Sequence, residues 1–418
     1  MVLIRILFAL IVFAQPILAE PLQINVEAEA AILINADTGA VLYEKNSRDR
    51  NFPASTTKVA TAIYTLEKSG AKLDSLAVAD QECVGFVTES AKKRSNYSLP
   101  SHYLEFGATH MVIHKGEKLS LRDLLYGTMV HSADDASNVV AQHVGGTIPK
   151  FMEELNKYVK EVGCQDTHFM NPHGLHHPEH YTTAYDMAVL SAHALKNRQF
   201  REIVATTQWT RPKTEFQQAM TLVQTNRLLR KGDYYYPKAI GVKTGFTGAA
   251  QSTIVAAAQH NGRTLVAVLL KNKDRKEMFK DAIKLFEAAF NQPMLERTIL
   301  PAGSLPYSTK VANSGRTVQG SLAEPLTVEY YPAETPELKA TLKWHEVALP
   351  VAQGQEIGLV MIEDGHGRLV KSATILAAHE VKISPFNRLW GALTGFGFAA
   401  WATVLGFICV TTWFLKRR

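Results

Sequence analysis

The chain has 418 residues, of which 46% are hydrophobic and 20% charged, and its three cysteines are too few for a disulfide scaffold. This composition excludes a disordered, collagen-like or coiled-coil chain and favours about two folded domains. Four of the basic residues behind the net charge of +6 lie at the chain ends, as Arg5 and residues 416–418, so the charge does not indicate nucleic-acid binding.

Residues 1–19 predict a secretory signal peptide. Arg5 precedes an apolar run over residues 6–14, and Ala19 supplies a small side chain at the expected cleavage point. The run is shorter than the roughly 20 apolar residues of a spanning helix, so a membrane anchor or a buried helix is the less favoured alternative. We therefore expect an exported protein.

Residues 20–293 predict an α+β domain. The expected strands are rich in β-branched residues and lie at 31–35, 41–43, 240–242, 253–258 and 264–270. The expected helices have apolar residues three and four positions apart and lie at 119–130, 148–162, 185–195 and 276–290, with one more that begins near Ser55. This order predicts an antiparallel sheet whose first and last strands enclose a helical block. Residues 82–110 have little pattern and predict a loop, to which no function is assigned.

The C-terminal part predicts a small all-β domain followed by a membrane segment. Residues 294–384 contain short alternating runs broken by Pro, Gly and Asn. Residues 389–415 contain no charged side chain and precede three basic residues, which is typical of a spanning helix with a cytoplasmic end. Four glycines in this stretch favour the alternative of an amphipathic helix on the lipid surface. Either arrangement tethers the body to the outer (periplasmic) side of the cytoplasmic membrane.

Ser55 and Lys58 form the first motif with chemical content. Their spacing of three places the hydroxyl and the amine on one helical face, one turn apart. A neutral lysine amine can remove the proton that keeps a serine hydroxyl a weak nucleophile, provided that burial or a nearby cation lowers its pKa. Taken alone, the pair is better explained by a helix-capping serine and a solvated lysine.

Two further motifs contain hydroxyl and amine groups. Ser132-Ala133-Asp134 follows a predicted helix, where the serine could relay a proton or simply cap the next helix. Lys243-Thr244-Gly245 is expected at the end of a strand. Its lysine and hydroxyl suit a carboxylate, and its glycine permits close approach of a ligand backbone.

In this order, the three motifs resemble the S-x-x-K, serine triplet and K-T-G set of the penicillin-interacting serine enzymes. Within that group the chain resembles the low-molecular-weight penicillin-binding proteins, the serine D-alanyl-D-alanine carboxypeptidases, from about residue 30 to residue 290. Further matches are Ala36-Asp37-Thr38-Gly39, Leu121-Arg122-Asp123-Leu124-Leu125, Asn171 with Gly174-Leu175, and the run over residues 181–188. The resemblance implies a penicillin-binding/β-lactamase-like sheet flanked by a helical subdomain.

The resemblance also implies roles for individual residues. Ser55 would form the acyl-enzyme with the penultimate D-alanine of a peptidoglycan stem peptide, Lys58 would be its base, and Ser132 would pass a proton to the departing D-alanine. Lys243 and Thr244 would hold the terminal carboxylate beside Gly245, and the N–H groups of Ser55 and Phe246 would form the oxyanion hole. β-Lactam antibiotics would acylate the same serine, and no metal or organic cofactor is implied.

Asp134 departs from the family pattern, which usually has asparagine at this position. An ionised carboxylate only accepts hydrogen bonds, whereas an amide both donates and accepts. A negative charge near Lys58 would favour the protonated amine. We expect the substitution to alter substrate positioning or the acylation rate without abolishing either.

Other candidate sites are weaker. His173, His176, His177, Glu179 and His180 crowd one segment, but Pro and Gly interrupt it, so a surface loop is favoured over a zinc site. Arg275 could assist a carboxylate site, although a solvated helix start is favoured. Cys83 and Cys164 could pair, which the sequence does not decide.

The sequence is also compatible with three other functions. A D,D-endopeptidase acting on cross-linked peptides would use the same residues. A β-lactamase would need a deacylating carboxylate, for which Glu179 is the one candidate in its loop. A non-catalytic wall-binding protein is favoured only by Asp134 and does not explain the paired nucleophile and base.

Overall fold

The computed structural model describes residues 9–13, 20–70, 72–334, 338–365 and 367–383. The predicted membrane segment at 389–415 and most of the predicted signal peptide lie outside these residues. Ala9–Phe13 is a strand that pairs antiparallel with Lys339–Trp344. The described residues contain no helix with both the length and the apolar character needed to cross a bilayer.

The described residues alternate between strands and helices. The helices are α1 (Lys58–Lys68), α2 (Glu89–Arg94), α3 (Leu121–Tyr126), α4 (Asp134–Gly145), α5 (Ile148–Val162), α6 (Ala184–Ala194), α7 (Arg198–Ala205) and α8 (Arg275–Phe290). The strands are β1 (Ala9–Phe13), β2 (Ala30–Asn35), β3 (Val41–Lys45), β4 (Leu76–Val78), β5 (Lys118–Ser120), β6 (Gln208–Arg211), β7 (Met220–Val223), β8 (Ala239–Thr247), β9 (Gln251–His260), β10 (Arg263–Asn272), β11 (Leu295–Leu300), β12 (Gly303–Ala312), β13 (Thr317–Leu322), β14 (Leu326–Tyr330), β15 (Lys339–Trp344), β16 (Val347–Ala348), β17 (Glu356–Glu363) and β18 (Leu369–Ala377).

The chain divides into two compact units. Of the described residues, the first unit comprises 20–70, 72–293 and 331–334, and the second comprises the others. In the second unit, the main sheet has the strand order β1-β15-β17-β18-β13-β12-β16, and β11 pairs with β14. Its apolar core includes Val318, Leu342, Ile357 and Ile375.

An antiparallel sheet with the strand order β3-β2-β10-β9-β8 forms the centre of the first unit. Both faces of this sheet are buried. Ile32 and Val266 face a core shared with helices α1 and α3–α6, whereas Leu33 and Leu265 face a core shared with α8. Covered faces explain why residues 30–34 of β2 and 265–270 of β10 are continuous apolar runs instead of alternating. The structure confirms the predicted α+β class.

The structure differs from the sequence prediction in three segments. The predicted helix at 119–130 is α3 followed by a π-helical turn over Gly127–His131. Lys243-Thr244-Gly245 lies inside β8 rather than at a strand end, because β8 stays paired with β9 as far as Thr247. The predicted loop at 82–110 contains the helix α2, whose N-cap Thr88 side chain accepts a hydrogen bond from the Ala91 N–H.

Residues 331–334 also differ from the prediction, which placed them in the β-rich domain. In the structure they belong to the first unit. The Glu334 carboxylate pairs with Arg263 and accepts a hydrogen bond from Asn35 Nδ2 at 2.7 Å, and the Arg263 guanidinium lies 3.7 Å from the centre of the Tyr331 ring. A pattern of local periodicity contains no information about these long-range contacts.

Candidate active site

Ser55 lies in a strained turn at the start of α1. The turn is a 3-10 helix over Ala54–Thr57, and Ala54 has a φ of +51°, in the left-handed region that a non-glycine residue occupies at a cost of about 1–3 kcal/mol. Two hydroxyls fix this turn: Thr57 Oγ1 donates to the Ala54 carbonyl at 2.9 Å, and Thr253 Oγ1 donates to the Pro53 carbonyl at 3.0 Å. These bonds hold the serine at the surface of a cleft.

Two glycines allow the surrounding chain to approach this turn. A Cβ on Gly245 in β8 would lie 2.7 Å from the Ser55 nitrogen, and a Cβ on Gly174 would lie 1.9 Å from the Ala54 oxygen. Both distances are too short for any side chain, so only glycine fits at these positions. Gly245 therefore brings the backbone of β8 beside the Ser55 N–H.

Lys58 lies beneath Ser55 with no exposed surface. Its Nζ donates to Ser55 Oγ at 3.0 Å, to Asp134 Oδ1 at 2.6 Å and to the His173 carbonyl at 2.7 Å. Three acceptors match the three protons of an ammonium group. The predicted nucleophile and base are thus within hydrogen-bond distance, and Asp134 contacts the base directly.

Burial and charge act in opposite directions on this pair. Burial lowers the pKa of Lys58, while the carboxylates of Asp134 and, more weakly, Asp135 oppose the change. Burial likewise raises the pKa of Asp134, against the effect of the Lys58 ammonium. The low pKa of the lysine favours the neutral amine that a base requires, and Asp134 limits how far that pKa falls.

Ser132 and Asp134 are positioned by the junction between the π-helical turn and α4. Ser132 ends the turn with a φ of +73° and lines the same cleft as Ser55. The Asp134 N–H donates to the Thr109 carbonyl at 2.8 Å, and the Asp135 carboxylate accepts from the N–H of Met111 at 3.0 Å. Since π-helical turns interrupt regular helices where a side chain must be redirected, the turn explains how Ser132 faces the cleft.

Lys243 lies below the cleft surface, whereas its neighbours in β8 line it. The Lys243 Nζ is fully buried and donates to the Thr244 carbonyl at 2.8 Å. Burial lowers the pKa of Lys243 well below its usual range, and the nearby Lys58 charge adds to the effect. Thr244 Oγ1 donates to Thr225 Oγ1 at 2.9 Å, and the exposed Phe246 ring stands at the edge of the cleft.

The cleft that joins these groups has a volume of about 800 Å³. The predicted site residues on its surface are Ser55, Ser132, Asp134, Thr244, Gly245 and Phe246. Arg275, at the start of α8, also lines it. The cleft therefore holds a nucleophile beside a buried amine at one point and a hydroxyl with a cationic group at another.

A family model described as D-alanyl-D-alanine carboxypeptidase matches residues 16–274 of the chain. This match covers more than half of the sequence. The chain belongs to this family. The resemblance seen in the three motifs is confirmed.

Individual relatives agree with this assignment. The chain is 30% identical to the D-alanyl-D-alanine carboxypeptidase DacF of Bacillus subtilis over 368 residues, which cover 86% of this chain and 87% of that protein. Penicillin-binding protein 5 of Haemophilus influenzae has a similar structure, with a TM-score of 0.58, 25% identity, and coverage of 86% of this chain and 99% of that one. The Streptomyces K15 DD-transpeptidase matches with a TM-score of 0.55 and 28% identity, over 64% of this chain and 98% of that one.

The histidine-rich segment is not the surface loop that the sequence favours. His173 and His180 are buried against α1, where Thr57 Oγ1 lies 2.8 Å from His180 Nε2 and Thr61 Oγ1 donates to the Pro172 carbonyl at 2.6 Å. The described residues contain no group of three side chains able to hold a metal ion. The segment instead supplies the His173 carbonyl to Lys58, a backbone contribution that no side-chain motif reveals.

Three further sequence interpretations are resolved. Arg275, interpreted as a solvated helix start, lines the cleft. Cys83 and Cys164 are both buried free thiols and do not pair. The segment at 82–110, to which no function was assigned, contributes Glu89, Lys93, Tyr97 and Glu105 to the cleft surface. Its charged residues have no regular spacing, so this role could not be predicted from the sequence.

Proposed function

We propose that the chain is a serine D-alanyl-D-alanine carboxypeptidase, which removes the terminal D-alanine from peptidoglycan stem pentapeptides and is acylated by penicillin. The supporting observation is the 3.0 Å contact between Ser55 Oγ and the amine of the fully buried Lys58, at the surface of a cleft large enough for a peptide. Simple binding of a peptide would not require a serine paired with a buried amine.

Acylation begins when Lys58, as the neutral amine, takes the proton of Ser55. The Ser55 oxygen then bonds to the carbonyl carbon of the penultimate D-alanine, and the carbonyl oxygen becomes negatively charged. The N–H groups of Ser55 and Phe246 are the proposed donors to this oxyanion. The close approach of Gly245 to the Ser55 nitrogen supports this arrangement, because it brings β8 to the same place.

The tetrahedral intermediate breaks down when the C–N bond to the terminal D-alanine breaks. The departing amine needs a proton, which we assign to Lys58 by way of the Ser132 hydroxyl. Water then attacks the ester, gives its proton to the amine of Lys58, and the proton returns to Ser55 Oγ as the shortened peptide leaves. The reaction consumes one water and restores both residues.

The terminal carboxylate of the substrate is assigned to Thr244 and Arg275, which both line the cleft. Lys243 was predicted to bind this carboxylate directly. Its amine is buried beneath the surface and bonded to the Thr244 carbonyl, so we assign it an electrostatic contribution from below.

Fluorescent penicillin tests this proposal together with peptide hydrolysis. The expected result is covalent labelling and release of D-alanine from a pentapeptide by the unaltered chain, and loss of both in Ser55→Ala. Labelling that persists in Ser55→Ala would contradict the assignment of the nucleophile. Release from cross-linked dimers alone would indicate an endopeptidase, and rapid nitrocefin turnover would indicate a β-lactamase.

We also propose that the chain is exported and held at the outer face of the cytoplasmic membrane. The support comes from the sequence of residues 1–19 and 389–415. Full-length protein should sediment with membranes, and a chain ending at residue 384 should be recovered in the periplasmic or extracellular fraction. Recovery of both chains in the cytosol would contradict the proposal.

A further inference from the structure

Thr225 lies in the cleft between two elements that carry proposed site residues. It follows β7 in the short segment Gln224-Thr225-Asn226, which is called the bridging segment. The Thr225 N–H donates to the Val130 carbonyl at 3.2 Å, in the π-helical turn that leads to Ser132. Thr225 Oγ1 accepts a hydrogen bond from Thr244 Oγ1 at 2.9 Å. Thr225 therefore contacts both the turn that ends at Ser132 and the strand that carries Thr244.

Gln224 fixes the start of the bridging segment. Its side chain is fully buried, and its Nε2 donates to the carbonyls of Val204 at 3.3 Å and Thr206 at 3.2 Å, at the end of α7. Its Oε1 accepts a hydrogen bond from the Asn226 N–H at 3.2 Å. Because leaving a buried amide without its partners is costly, these bonds hold the segment in place whether or not a ligand is bound.

Asn226 fixes the end of the bridging segment to β8. The buried Asn226 Nδ2 donates to the Gly241 carbonyl at 3.1 Å, and its Oδ1 accepts from the Leu228 N–H at 3.0 Å. Val242, the next residue of β8, has a φ of +92°, in a region that β-branched residues rarely occupy. Such a conformation persists only where the surrounding contacts enforce it, and the bond from Asn226 is one of these contacts. The hydroxyls of Thr225 and Thr244 are thus held together from both of their chain segments.

The two hydroxyls leave one proton for a ligand. A threonine hydroxyl has one proton to donate and two lone pairs that accept. Thr244 donates its proton to Thr225, whereas no hydrogen bond among the described residues uses the hydroxyl proton of Thr225. Since Thr225 lines the cleft, its proton is the one available to a molecule bound there. The bond from Thr244 also polarises the Thr225 hydroxyl and strengthens it as a donor.

The surroundings of this hydroxyl favour an anionic acceptor. Arg275 lines the same cleft, and the amine of the buried Lys243 is bonded to the Thr244 carbonyl. A hydrogen bond to an ionised acceptor is roughly twice as strong as one between neutral groups. We infer that Thr225 is a further substrate-binding residue, whose hydroxyl donates to the terminal carboxylate of the substrate while Thr244 acts on that carboxylate through Thr225. This inference rests on the proposed carboxypeptidase function.

Acylation by penicillin and by its methyl ester tests the inference. In penicillin, as in a peptide that ends in D-alanine, the carboxylate is attached to the carbon next to the nitrogen of the bond that Ser55 attacks. The ester removes this negative charge and keeps the reactive ring. The measured quantity is the second-order rate constant for penicillin divided by that for the ester. Thr225→Val removes the hydroxyl, keeps the shape of the side chain, and should lower this ratio about tenfold, because it removes a charged hydrogen bond from one reaction only.

Two further variants at this position differ from each other by a single atom. Thr225→Ser keeps a hydroxyl donor and should keep the ratio within about threefold of that of the unaltered chain. Thr225→Cys has a thiol, which is a weak donor, and should lower the ratio as Thr225→Val does. This comparison keeps the test valid if Thr225→Val fails to fold. Thr221→Val is the matched control, because Thr221 is exposed on β7, and it should leave the ratio unchanged.

A purely structural role for Thr225 would slow both acylation reactions to the same extent and leave their ratio unmoved. That result, or equal ratios for Thr225→Ser and Thr225→Cys, overturns this inference while the carboxypeptidase function stands. If the unaltered chain neither releases D-alanine from a pentapeptide nor becomes labelled by penicillin, the proposed function is overturned, and this inference with it.

Discussion

The chemistry of Ser55 depends on how many protons its neighbour Lys58 holds. In the structure, the amine has three acceptors, one of which is the buried Asp134 carboxylate at 2.6 Å. An ammonium satisfies all three acceptors, yet only the neutral amine can accept the Ser55 proton. Asp134 therefore stabilises the resting site in the protonation state that is inactive as a base.

Replacing Asp134 should shift the pH dependence of acylation. The carboxylate opposes the lowering of the Lys58 pKa by burial, so Asp134→Asn should lower this pKa further. The neutral amine is then present at lower pH, and the acidic limb of the acylation rate moves to lower pH. Second-order rate constants for penicillin acylation, measured from acidic to alkaline pH, provide the test.

The groups that face this pair remain in the Asn variant. Lys58 and Asp134 are surrounded by Asp135, Lys243, His110 and His173. These four residues are the same in Asp134→Asn and in the unaltered chain, so they contribute equally to the pH dependence of acylation in both. The exposed Asp166, paired with Arg50 at 3.3 Å, offers a matched control as Asp166→Asn. Identical pH profiles for Asp134→Asn and the unaltered chain would show that the Asp134 carboxylate does not affect the pKa of Lys58.

Gly245 should be required for acylation because of its closeness to Ser55. A Cβ at this position would lie 2.7 Å from the Ser55 nitrogen and 2.5 Å from Thr253 Oγ1, so Gly245→Ala must displace the turn that holds the nucleophile. A displacement of about 1 Å near reacting atoms costs about a hundredfold in rate. Penicillin acylation should fall by that order, with a loss in unfolding free energy of about 1–3 kcal/mol.

Gly248 provides the control for this substitution. A Cβ there would meet no atom within 4 Å, so Gly248→Ala should fold with unchanged stability. If Gly245→Ala reacts as fast as the unaltered chain, the close approach of β8 has no catalytic importance.

The sequence could predict which residues meet but not how each is held. Ser55 and Lys58 are one helical turn apart, so their contact follows from local geometry. That Asp134 and Lys243 lie near Lys58 could be predicted only from the resemblance to a family, because long stretches of chain separate both residues from Lys58. The left-handed Ala54 and the contribution of the His173 carbonyl have no local signal, since both result from tertiary contacts.

At the scale of elements, α4 links the base to the segment at 82–110, which forms part of the cleft surface. Its first turn carries Asp134 and Asp135, which suits the positive end of the helix dipole, and Asn138 follows one turn later. Periodicity did not predict this helix, because its buried side chains include several polar ones that bind backbone groups. Helices α5 and α8 were predicted, because their buried apolar residues recur with the helical period between solvated ones.

Removing the Asn138 amide should loosen the segment at 82–110. Asn138→Ala leaves the Cys83 and His102 carbonyls without the donors that they have in a buried setting, at an expected cost of about 2–3 kcal/mol in unfolding free energy. Denaturant unfolding measures this loss, and proteolysis within 82–110 should become faster.

Asn291→Ala is the corresponding control, since its amide binds Glu287 at an exposed position. Unfolding free energies that are equal for the two alanine variants would mean that Asn138 does not anchor the segment at 82–110.

At the scale of the whole molecule, the first unit is discontinuous in sequence. Residues 331–334 return to it after β11–β14, and they bring Glu334 to Arg263 on β10. Both side chains are more than nine-tenths buried. Arg263 also donates to the Ala289 carbonyl at 3.0 Å, so it cannot turn towards solvent without losing a helix contact. A domain boundary drawn at residue 293 from composition therefore omits part of this unit.

A chain truncated after residue 293 should consequently be less stable than the corresponding unit in the longer chain. Truncation removes Glu334 and leaves Arg263 as a buried charge without its carboxylate, which costs about 3–5 kcal/mol. The same loss should follow from Glu334→Ala in the full-length protein, as measured by unfolding of the unit that binds penicillin.

Adding Arg263→Leu to the truncated chain should recover much of this stability, because an apolar side chain needs no counterion. Arg316→Leu in the second unit, where the guanidinium is exposed and binds the Lys382 carbonyl, should not stabilise the penicillin-binding unit of the full-length protein. If the truncated chain is as stable as the full-length unit, then the Glu334–Arg263 pair does not hold the discontinuous unit together.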